Sequence, residues 1–328
     1  MKCAVIERFG KDLSNLVIGE RDDLVAAGEN IRVNVSATAI NRADLLQRRG
    51  LYPAPAGAPQ DVPGLEFVGY VDQVGESVTE WKDGERVFGI LAGGGYAEQV
   101  VTHQRMVVSV PDELDDTEAA AIPEAFIVAH DALVSQGGMK PGDLVLIHAV
   151  AGGVGTAAVQ LVDLWGARAV GTAGSSEKIL KVAKLAPLLA VNYREEDFQK
   201  VIEEKFGRNP VDLVLDVVGA GYWQRNISVL KSRGRLILLG FMGGSSAETP
   251  LATILSNRIH IIGTVSRSRP LEEKILATQA FAHQVVPHFK ERRLQAVIDS
   301  VFPFDQLHQA TSRVEKNENV GKVILTFQ

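Results

Sequence analysis

The stretch Leu144-Val-Leu-Ile-His148 is followed directly by Ala149-Val-Ala-Gly-Gly-Val-Gly-Thr-Ala-Ala158. The first part predicts a buried β-strand, and the residues after the glycines predict a helix. Gly153, Gly155 and Ala158 form a Gly-x-Gly-x-x-Ala pattern in the turn between them. Such a turn lets the backbone approach a pyrophosphate, which then faces free N–H groups and a helix dipole of roughly +0.5 charge. The stretch therefore predicts a dinucleotide-binding turn.

The same strand, turn and helix rhythm continues on the C-terminal side of this turn, over residues 126–265. Six apolar strands alternate with helical stretches, which is typical of a doubly wound parallel sheet and predicts an α/β fold. The predicted strands cover residues 144–148, 169–173, 189–192, 211–217, 235–239 and 259–264.

Residues 1–125 have a different pattern, with short β-type runs separated by Gly and Pro, which predicts a mostly antiparallel β domain. The runs cover residues 31–37, 66–71, 85–88, 96–101 and 106–110. Residues 266–328 contain a predicted helix over 271–291, an extended segment, a helix over 304–314 and a last strand over 322–327. This tail is too short for a domain, so we expect its last strand to return to the β domain, with the parallel-sheet domain inserted between the two parts.

Composition excludes several classes of function. The 328 residues carry a formal charge of -6, which disfavours a nucleic-acid partner. The single cysteine, Cys3, allows no internal disulfide and no all-cysteine metal site, and we expect it to be a packed thiol. No apolar run approaches the roughly 18 residues of a membrane span, and the N-terminus has no signal-peptide pattern, so no membrane partner and a cytoplasmic location are expected.

The choice of dinucleotide is made at the end of the second strand, where an acidic residue would bind the adenosine ribose of NAD. Here the sequence reads Thr172-Ala-Gly-Ser-Ser-Glu-Lys178. The small residues Gly174 and Ser175 leave room for a 2′-phosphate, and Lys178 can pair with it. Glu177 on the same turn argues against a 2′-phosphate at this place. NADPH is nevertheless the predicted cofactor.

The motifs resemble the zinc-independent quinone oxidoreductases of the medium-chain dehydrogenase/reductase superfamily, and most closely their damage-inducible NADPH:quinone oxidoreductase branch. The resemblance spans nearly the whole chain and implies a GroES-like β domain with an inserted Rossmann domain, a homodimer, and NADPH-dependent reduction of quinones as small-molecule substrates. It rests, besides the glycine turn, on residues 39–53 (AINRADLLQRRGLYP), 63–66 (PGLE), 81–87 (WKDGERV), 119–125 (AAAIPEA), 192–193 (NY), 216–219 (DVVG), 240–244 (GFMGG), 267–269 (RSR) and 319–322 (NVGK).

Zinc-using members of that superfamily hold the metal with Cys, His and carboxylate side chains. In this sequence Asn41 stands where they place a cysteine, and Leu65 where they place a histidine. Only Glu66 of that set is present, and one carboxylate does not hold a zinc ion. We therefore expect no metal site.

Quinones accept hydride readily, so the enzyme mainly needs to orient the reactants and stabilise the developing oxyanion. The candidate catalytic residues are Asn41, a neutral group able to donate or accept a hydrogen bond to the nicotinamide ribose or the quinone oxygen, and Tyr52, a phenol in a Pro-flanked loop. A capping role for Asn41 and a packed surface aromatic at Tyr52 are the alternatives.

The resemblance also implies which residues line the cofactor. Two departures from the family pattern occur: Ala151-Gly152 replaces Leu-Ser, which removes one hydroxyl from the phosphate loop, and Val128 replaces a threonine that helps to orient the nicotinamide. The implied cofactor-binding residues are Gly152, Gly153, Val154, Gly155, Ser175, Lys178, Tyr193, Phe241, Met242, Val265 and Ser266.

Two other functions fit the same residues. Reductases of 2-enoyl thioesters or enones share the fold and the Asn-x-x-Asp and Gly-x-Tyr motifs, and the tyrosine matching Tyr52 would protonate the substrate. A protein of the zeta-crystallin type would bind NADPH with little activity, although the acidic balance argues against its binding RNA.

Overall fold

The computed structural model describes residues 1–327. It contains two compact units, one of Met1–Ile127 together with the chain from Ser266 onward, and one of Val128–Val265.

The first unit is built mainly from strands. Its N-terminal part contains β1 (Lys2–Ile6), β2 (Leu16–Glu20), β3 (Asn30–Ile40), α1 (Arg42–Arg48), β4 (Glu66–Val74), β5 (Arg86–Ile90), β6 (Gln99–His103), β7 (Val107–Ser109), α2 (Asp116–Ala120) and α3 (Pro123–His130).

The second unit begins within α3 and alternates strands with helices. Its elements are β8 (Leu144–Ile147), α4 (Gly153–Leu164), β9 (Arg168–Ala173), α5 (Ser176–Val182), β10 (Leu188–Asn192), α6 (Phe198–Phe206), β11 (Val211–Asp216), α7 (Trp223–Val229), β12 (Leu230–Leu238), α8 (Leu251–Asn257) and β13 (His260–Gly263).

The chain then completes the first unit with a helical segment and two strands. These elements are α9 (Leu271–Gln284), α10 (Val286–Lys290), β14 (Ile298–Pro303), α11 (Leu307–Glu315) and β15 (Lys322–Thr326). The stretch predicted to be helical over 271–291 consists of two helices, which divide at Val285. Pro287 lies in the first turn of α10 and has no N–H to continue the hydrogen bonds of α9.

The first unit has a seven-stranded sheet of order β14-β15-β3-β4-β5-β7, with β6 also paired to β3. The last strand, β15, pairs antiparallel with β3. Only β14 and β15 run parallel in this sheet, so the prediction of a mostly antiparallel sheet is confirmed. Alternate residues of β3, such as Ile31 and Val33, are buried in its core.

The second unit has a six-stranded sheet of order β10-β9-β8-β11-β12-β13, in which every pairing is parallel. This is the predicted doubly wound sheet. All residues of β8 and β11 are buried, since helices cover both faces of such a sheet, and this explains the unbroken apolar run of β8.

Cys3 is fully buried, as expected of a packed thiol. Over residues 1–327, every helix is too short or too polar to cross a lipid bilayer.

Candidate functional site

The carboxyl ends of the six parallel strands lie at one edge of the second unit's sheet, because all six strands run in the same direction. Each predicted cofactor residue from this unit belongs to a turn or helix start that follows one of these ends. Gly152, Gly153, Val154 and Gly155 follow β8, Ser175 and Lys178 follow β9, Tyr193 follows β10, Phe241 and Met242 follow β12, and Val265 follows β13. Ser266, by contrast, is the first residue of the chain's return to the first unit.

The glycine turn has the geometry that a diphosphate requires. Gly152 is the N-cap of α4 and has no side chain to cap it, so the first N–H groups of the helix, at Gly153 and Val154, have no partner within the helix. A Cβ at Gly155 would lie 2.5 Å from the Ala149 carbonyl oxygen, so only glycine fits there. Open N–H groups at the positive end of a helix of 12 residues form an anion cradle, and the residues present fit a dinucleotide.

The end of β9 is packed against the residues that follow β10. A Cβ at Gly174 would lie 2.6 Å from Tyr193 Oη and 3.4 Å from Arg194 Nε, so the structure brings these three residues together. The Ser175 hydroxyl accepts a hydrogen bond from the backbone N–H of Lys178 at 3.3 Å. Arg194, which was not predicted from the sequence, thus adds a cation next to Gly174.

Glu177, the residue that weakened the prediction of NADPH, has its own partner. Its carboxylate pairs with the Lys181 ammonium at 2.9 Å along one face of α5, and the Lys181 hydrogen bond lowers the Glu177 pKa. Both side chains are largely exposed, so the pair is weak. It nevertheless offsets the negative charge of Glu177 near the place where a 2′-phosphate would bind.

In the first unit, the middle of the sheet carries a buried ion pair. The Lys322 ammonium donates to Glu66 Oε1 at 2.6 Å and to Asn41 Oδ1 at 2.5 Å. The register explains the contact, because Val323 pairs with Ile40, which places Lys322 opposite Asn41. Glu66 begins β4, the strand on the other side of β3, and its side chain is fully buried.

These contacts limit what Asn41 can do. Its amide nitrogen donates to Glu66 Oε1 at 2.8 Å and to the Ala39 carbonyl at 3.3 Å, so both N–H groups are used. Its oxygen accepts from Lys322. Asn41 is also the N-cap of α1, where its backbone N–H donates to Asp44 Oδ2 at 2.8 Å, so it has the capping position that the sequence left open. Asn41 can therefore accept a hydrogen bond from a ligand hydroxyl, but it has no proton left to donate to a substrate oxygen.

The residues at this place do not fit a zinc ion. Glu66 Oε1 already binds Asn41 and Lys322, and Glu66 Oε2 accepts from the backbone N–H of Glu124 at 2.8 Å. The flanking Leu65 is buried and has no ligand atom. Across the described part of the chain, no three His, Cys, Asp or Glu side chains form a group able to bind a metal. An ammonium group thus supplies the positive charge next to Glu66.

Tyr52 is held by a buried arginine that the sequence analysis did not single out for a role. The Arg267 guanidinium lies 5.1 Å from the centre of the Tyr52 ring and donates to the Tyr52 carbonyl at 3.0 Å. It also donates to the Ala92 carbonyl at 2.6 Å and to Gln47 Oε1 at 2.5 Å. With donors in three directions and a stacked face, Arg267 fixes the loop that carries the tyrosine.

The Tyr52 phenol is a hydrogen-bond donor rather than a base. Burial raises the Tyr52 pKa, and this outweighs the opposing effect of the Arg267 charge. Within residues 1–327 the phenol oxygen has no hydrogen-bond partner, so it is available to a ligand.

Glu124 lies within electrostatic range of Glu66, Lys322 and Arg267. Burial raises the Glu124 pKa to about 8, the negative charge of Glu66 adds to this, and Lys322 and Arg267 oppose it. Glu124 is consequently protonated near neutral pH. It therefore adds no negative charge to the surroundings of Tyr52 and Asn41.

Sequence reasoning missed Lys322, Arg267 and Glu124, although all three lie in stretches that carry the family resemblance. One signal was present for Lys322: a lysine opens the apolar run Lys-Val-Ile-Leu, and a glutamate lies next to the apolar residues of β4. Lone charges in buried strands require partners. Which residue pairs with which, however, depends on the sheet order.

Two protein-family models match the chain. The alcohol dehydrogenase GroES-like domain matches residues 27–112, and the zinc-binding dehydrogenase model matches residues 153–282. Quinone oxidoreductase-like protein 2 of Bos taurus is 29% identical over 314 residues, which cover 95% of this chain and 89% of that protein.

Solved structures with the same fold include reductases of two kinds. Escherichia coli quinone oxidoreductase, complexed with NADPH, superposes with a TM-score of 0.89 at 24% identity, over 99% of this chain and 100% of that one. The CurK enoyl reductase superposes with a TM-score of 0.86 at 25% identity, over 100% of this chain and 99% of that one.

Lys322→Met tests the buried ion pair. Removing the ammonium leaves the Glu66 carboxylate buried without a cation, so the free energy of unfolding should fall by about 3–5 kcal/mol. Denaturant unfolding of the whole protein measures this change. The double variant Lys322→Met, Glu66→Gln should recover part of the loss, because position 66 then carries no buried charge without a cation.

Lys316→Met, at an exposed lysine, is the matched control and should change stability little. A Lys322→Met variant as stable as this control would contradict the ion-pair assignment.

Proposed function

Because the chain belongs to the medium-chain dehydrogenase/reductase superfamily, we propose that it is an NADPH-dependent reductase that transfers hydride to quinones without a metal. The observation that carries the proposal is the Lys322 ammonium bound to Glu66 and Asn41, since it uses the oxygen atoms that would otherwise serve a metal. Likeness to quinone oxidoreductases supports the substrate class.

NADPH, when bound, supplies the hydride, and a proton completes the reduction of quinone to hydroquinone. The chain's own residues bind and orient. The N–H groups of the glycine turn bind the diphosphate, and Lys178 pairs with the 2′-phosphate. Asn41 accepts a hydrogen bond from a ribose hydroxyl through the one lone pair that Lys322 leaves.

Tyr52 donates a hydrogen bond to the quinone oxygen on which negative charge develops. Arg267 holds the Tyr52 loop and adds positive charge beside the ring, and both effects favour an oxyanion. Hydride transfer to a quinone needs no further acid or base, because the product is aromatic.

The second candidate is an enone or 2-enoyl-thioester reductase. The unpaired phenol of Tyr52 favours it, since this chemistry requires a proton donor for the α-carbon, and the likeness to the CurK enoyl reductase points the same way. The raised Tyr52 pKa keeps the proton on the phenol in either reaction.

NADPH oxidation across ortho-quinones, para-quinones, enones and crotonyl-coenzyme A tests both candidates. We expect turnover of quinones, with Tyr52→Phe lowering kcat/KM for quinones by about tenfold or less, because one hydrogen bond is lost. The same variant would nearly abolish thioester reduction.

The main proposal would be contradicted if the protein oxidised NADPH with none of the quinones. NADPH binding without oxidation by any acceptor would instead favour a low-activity binding protein of the zeta-crystallin type.

Lys178→Ala tests the choice of NADPH. Loss of the charge-assisted contact with the 2′-phosphate should weaken NADPH binding by about tenfold to a hundredfold and leave NADH nearly unchanged. Dissociation constants for both cofactors, from quenching of protein fluorescence, measure the difference.

Lys181→Ala, on the same helix but paired with Glu177, is the control. Equal losses for NADPH and NADH in Lys178→Ala would refute the assignment.

A homodimer and a cytoplasmic location complete the proposal. The edge strand β13 and the neighbouring helix α8 support the dimer, because Ile261, Leu251 and Leu255 are exposed apolar side chains of these elements.

A further inference from the structure

A chain of buried polar side chains runs beneath the carboxyl edge of the second unit's sheet. His148 Nδ1 lies 2.9 Å from Thr172 Oγ1, and His148 Nε2 lies 2.7 Å from Asn226 Oδ1. Asn226 Nδ2 donates to Asp216 Oδ2 at 3.1 Å. All four side chains are at most 2% exposed. Nothing in the proposed reaction has yet used His148, Asn226 or Asp216.

Every hydrogen bond in this chain has a defined direction. Asp216 accepts from the Asn226 amide nitrogen, so the amide oxygen must face His148 and accept from Nε2. His148 Nδ1 is then unprotonated and accepts from the Thr172 hydroxyl. Burial lowers the His148 pKa to about 4, so the imidazole stays neutral and keeps this tautomer. A chain with one consistent direction is rigid, since no member can rotate alone.

One end of the chain reaches the cofactor turns that follow β8 and β9. Thr172 lies in β9, shortly before Ser175 at the predicted 2′-phosphate site. His148 directly precedes Ala149, whose φ of +52° begins the glycine turn. A non-glycine residue in this conformation is strained and requires support from its surroundings.

The other end of the chain reaches the turns after β11 and β12. Asp216 Oδ1 accepts from the backbone N–H groups of Val218 at 2.7 Å and Gly219 at 3.1 Å. A Cβ at Gly219, which has a φ of +77°, would lie 2.9 Å from the Phe241 Cβ, so the two turns are in close contact. The Gly243 N–H also donates to the Val218 carbonyl at 2.7 Å.

We propose that the His148-Asn226-Asp216 chain is a positioning device for the cofactor, which holds the turns after β8, β9, β11 and β12 in one mutual arrangement. The three side chains touch neither substrate nor cofactor and act through the backbone that they fix. This inference rests on the proposed binding of NADPH at the same edge. It assigns a role to the Asp216-Val-Val-Gly219 motif, which the proposed reaction leaves unused.

The charged and titratable groups around His148, Asn226 and Asp216 determine how this buried polar chain responds to pH. The Tyr222 ring lies 4.7 Å from the His148 ring, and the Arg225 guanidinium lies 4.7 Å from the Tyr222 ring. Arg225 pairs with Asp197 of the α6 N-cap at 3.7 Å. Burial raises the Tyr222 pKa, so the phenol stays neutral, and the Arg225–Asp197 pair leaves no net charge nearby. A charge introduced at position 226 therefore has the Asp216 carboxylate as its nearest charged neighbour.

Asn226→Asp tests the proposal because the introduced carboxyl group keeps the hydrogen bonds to His148 and Asp216 only while it is protonated. While it is protonated, the introduced carboxyl group accepts from His148 and donates to Asp216, as the amide does. On deprotonation two carboxylates face each other at a short distance and repel, so the chain breaks as pH rises.

The double variant Asp216→Asn, Asn226→Asp exchanges the amide and the carboxylate. The amide introduced at position 216 then accepts from the backbone N–H groups with its oxygen. Its nitrogen donates to the carboxylate introduced at position 226, so every hydrogen bond is kept without a shared proton. This variant should behave as the wild type at high pH, where the imidazole beside the introduced carboxylate is neutral.

The measurement is the NADPH dissociation constant by calorimetry, expressed as the ratio of variant to wild type from about pH 5 to about pH 9, so that titration of the cofactor phosphate cancels. The Asn226→Asp ratio should be close to one at low pH and rise about tenfold or more at high pH. The ratio for the exchanged double variant should stay close to one at high pH. Gln309→Glu, at an exposed position of α11 in the first unit, is the charge control, and its ratio should stay flat over the whole pH range.

A flat ratio for Asn226→Asp, or an exchanged double variant that binds as poorly as Asn226→Asp at high pH, would overturn the proposal. If Asn226→Asp does not fold at high pH, the exchanged variant decides alone: wild-type affinity supports the proposal, and weakened affinity in a folded protein contradicts it. Absence of NADPH binding by the wild type would instead refute the proposed function.

Discussion

The ion pair between the Lys322 ammonium and the Glu66 carboxylate is the interaction on which the first unit's chemistry depends. It joins the last strand to β4 across β3, and it orients the Asn41 amide between them. A buried carboxylate would be costly without this cation. With it, Glu66 has its counter-charge from Lys322, and the Asn41 amide has no N–H left to donate to an oxyanion. The donor that remains is the phenol of Tyr52.

In the second unit, buried hydrogen-bonded side chains position several turns of the backbone. A dinucleotide is long, so the turns that bind it must be held in register along the sheet edge. Parallel strands place those turns at the same edge, and the polar chain through His148, Asn226 and Asp216 fixes them relative to one another. In both units the sheet sets the coarse arrangement, and a few buried polar groups with fully determined hydrogen bonds set the fine one.

The sequence alone predicts the sheets well and the contacts between side chains poorly. Apolar runs separated by glycine turns identify all six strands of the parallel sheet, because period and turn chemistry are local properties. The contact of Lys322 with Asn41 joins residues 281 positions apart, and it depends on the antiparallel register of β15 with β3. The contacts of Arg267 could not be predicted from the sequence either, since its partners Gln47 and Tyr52 lie about 215–220 residues away along the chain. Local patterns contain no information on such pairs.

Metal-free hydride transfer from NADPH is tested most directly by one kinetic measurement. Chelator-treated protein is mixed with a quinone and with NADPH deuterated at either C4 position of the nicotinamide, and single-turnover oxidation is followed. The account predicts an undiminished rate after chelation and a primary isotope effect at only one of the two positions. Loss of activity that zinc restores, or the absence of an isotope effect at both positions, would contradict it.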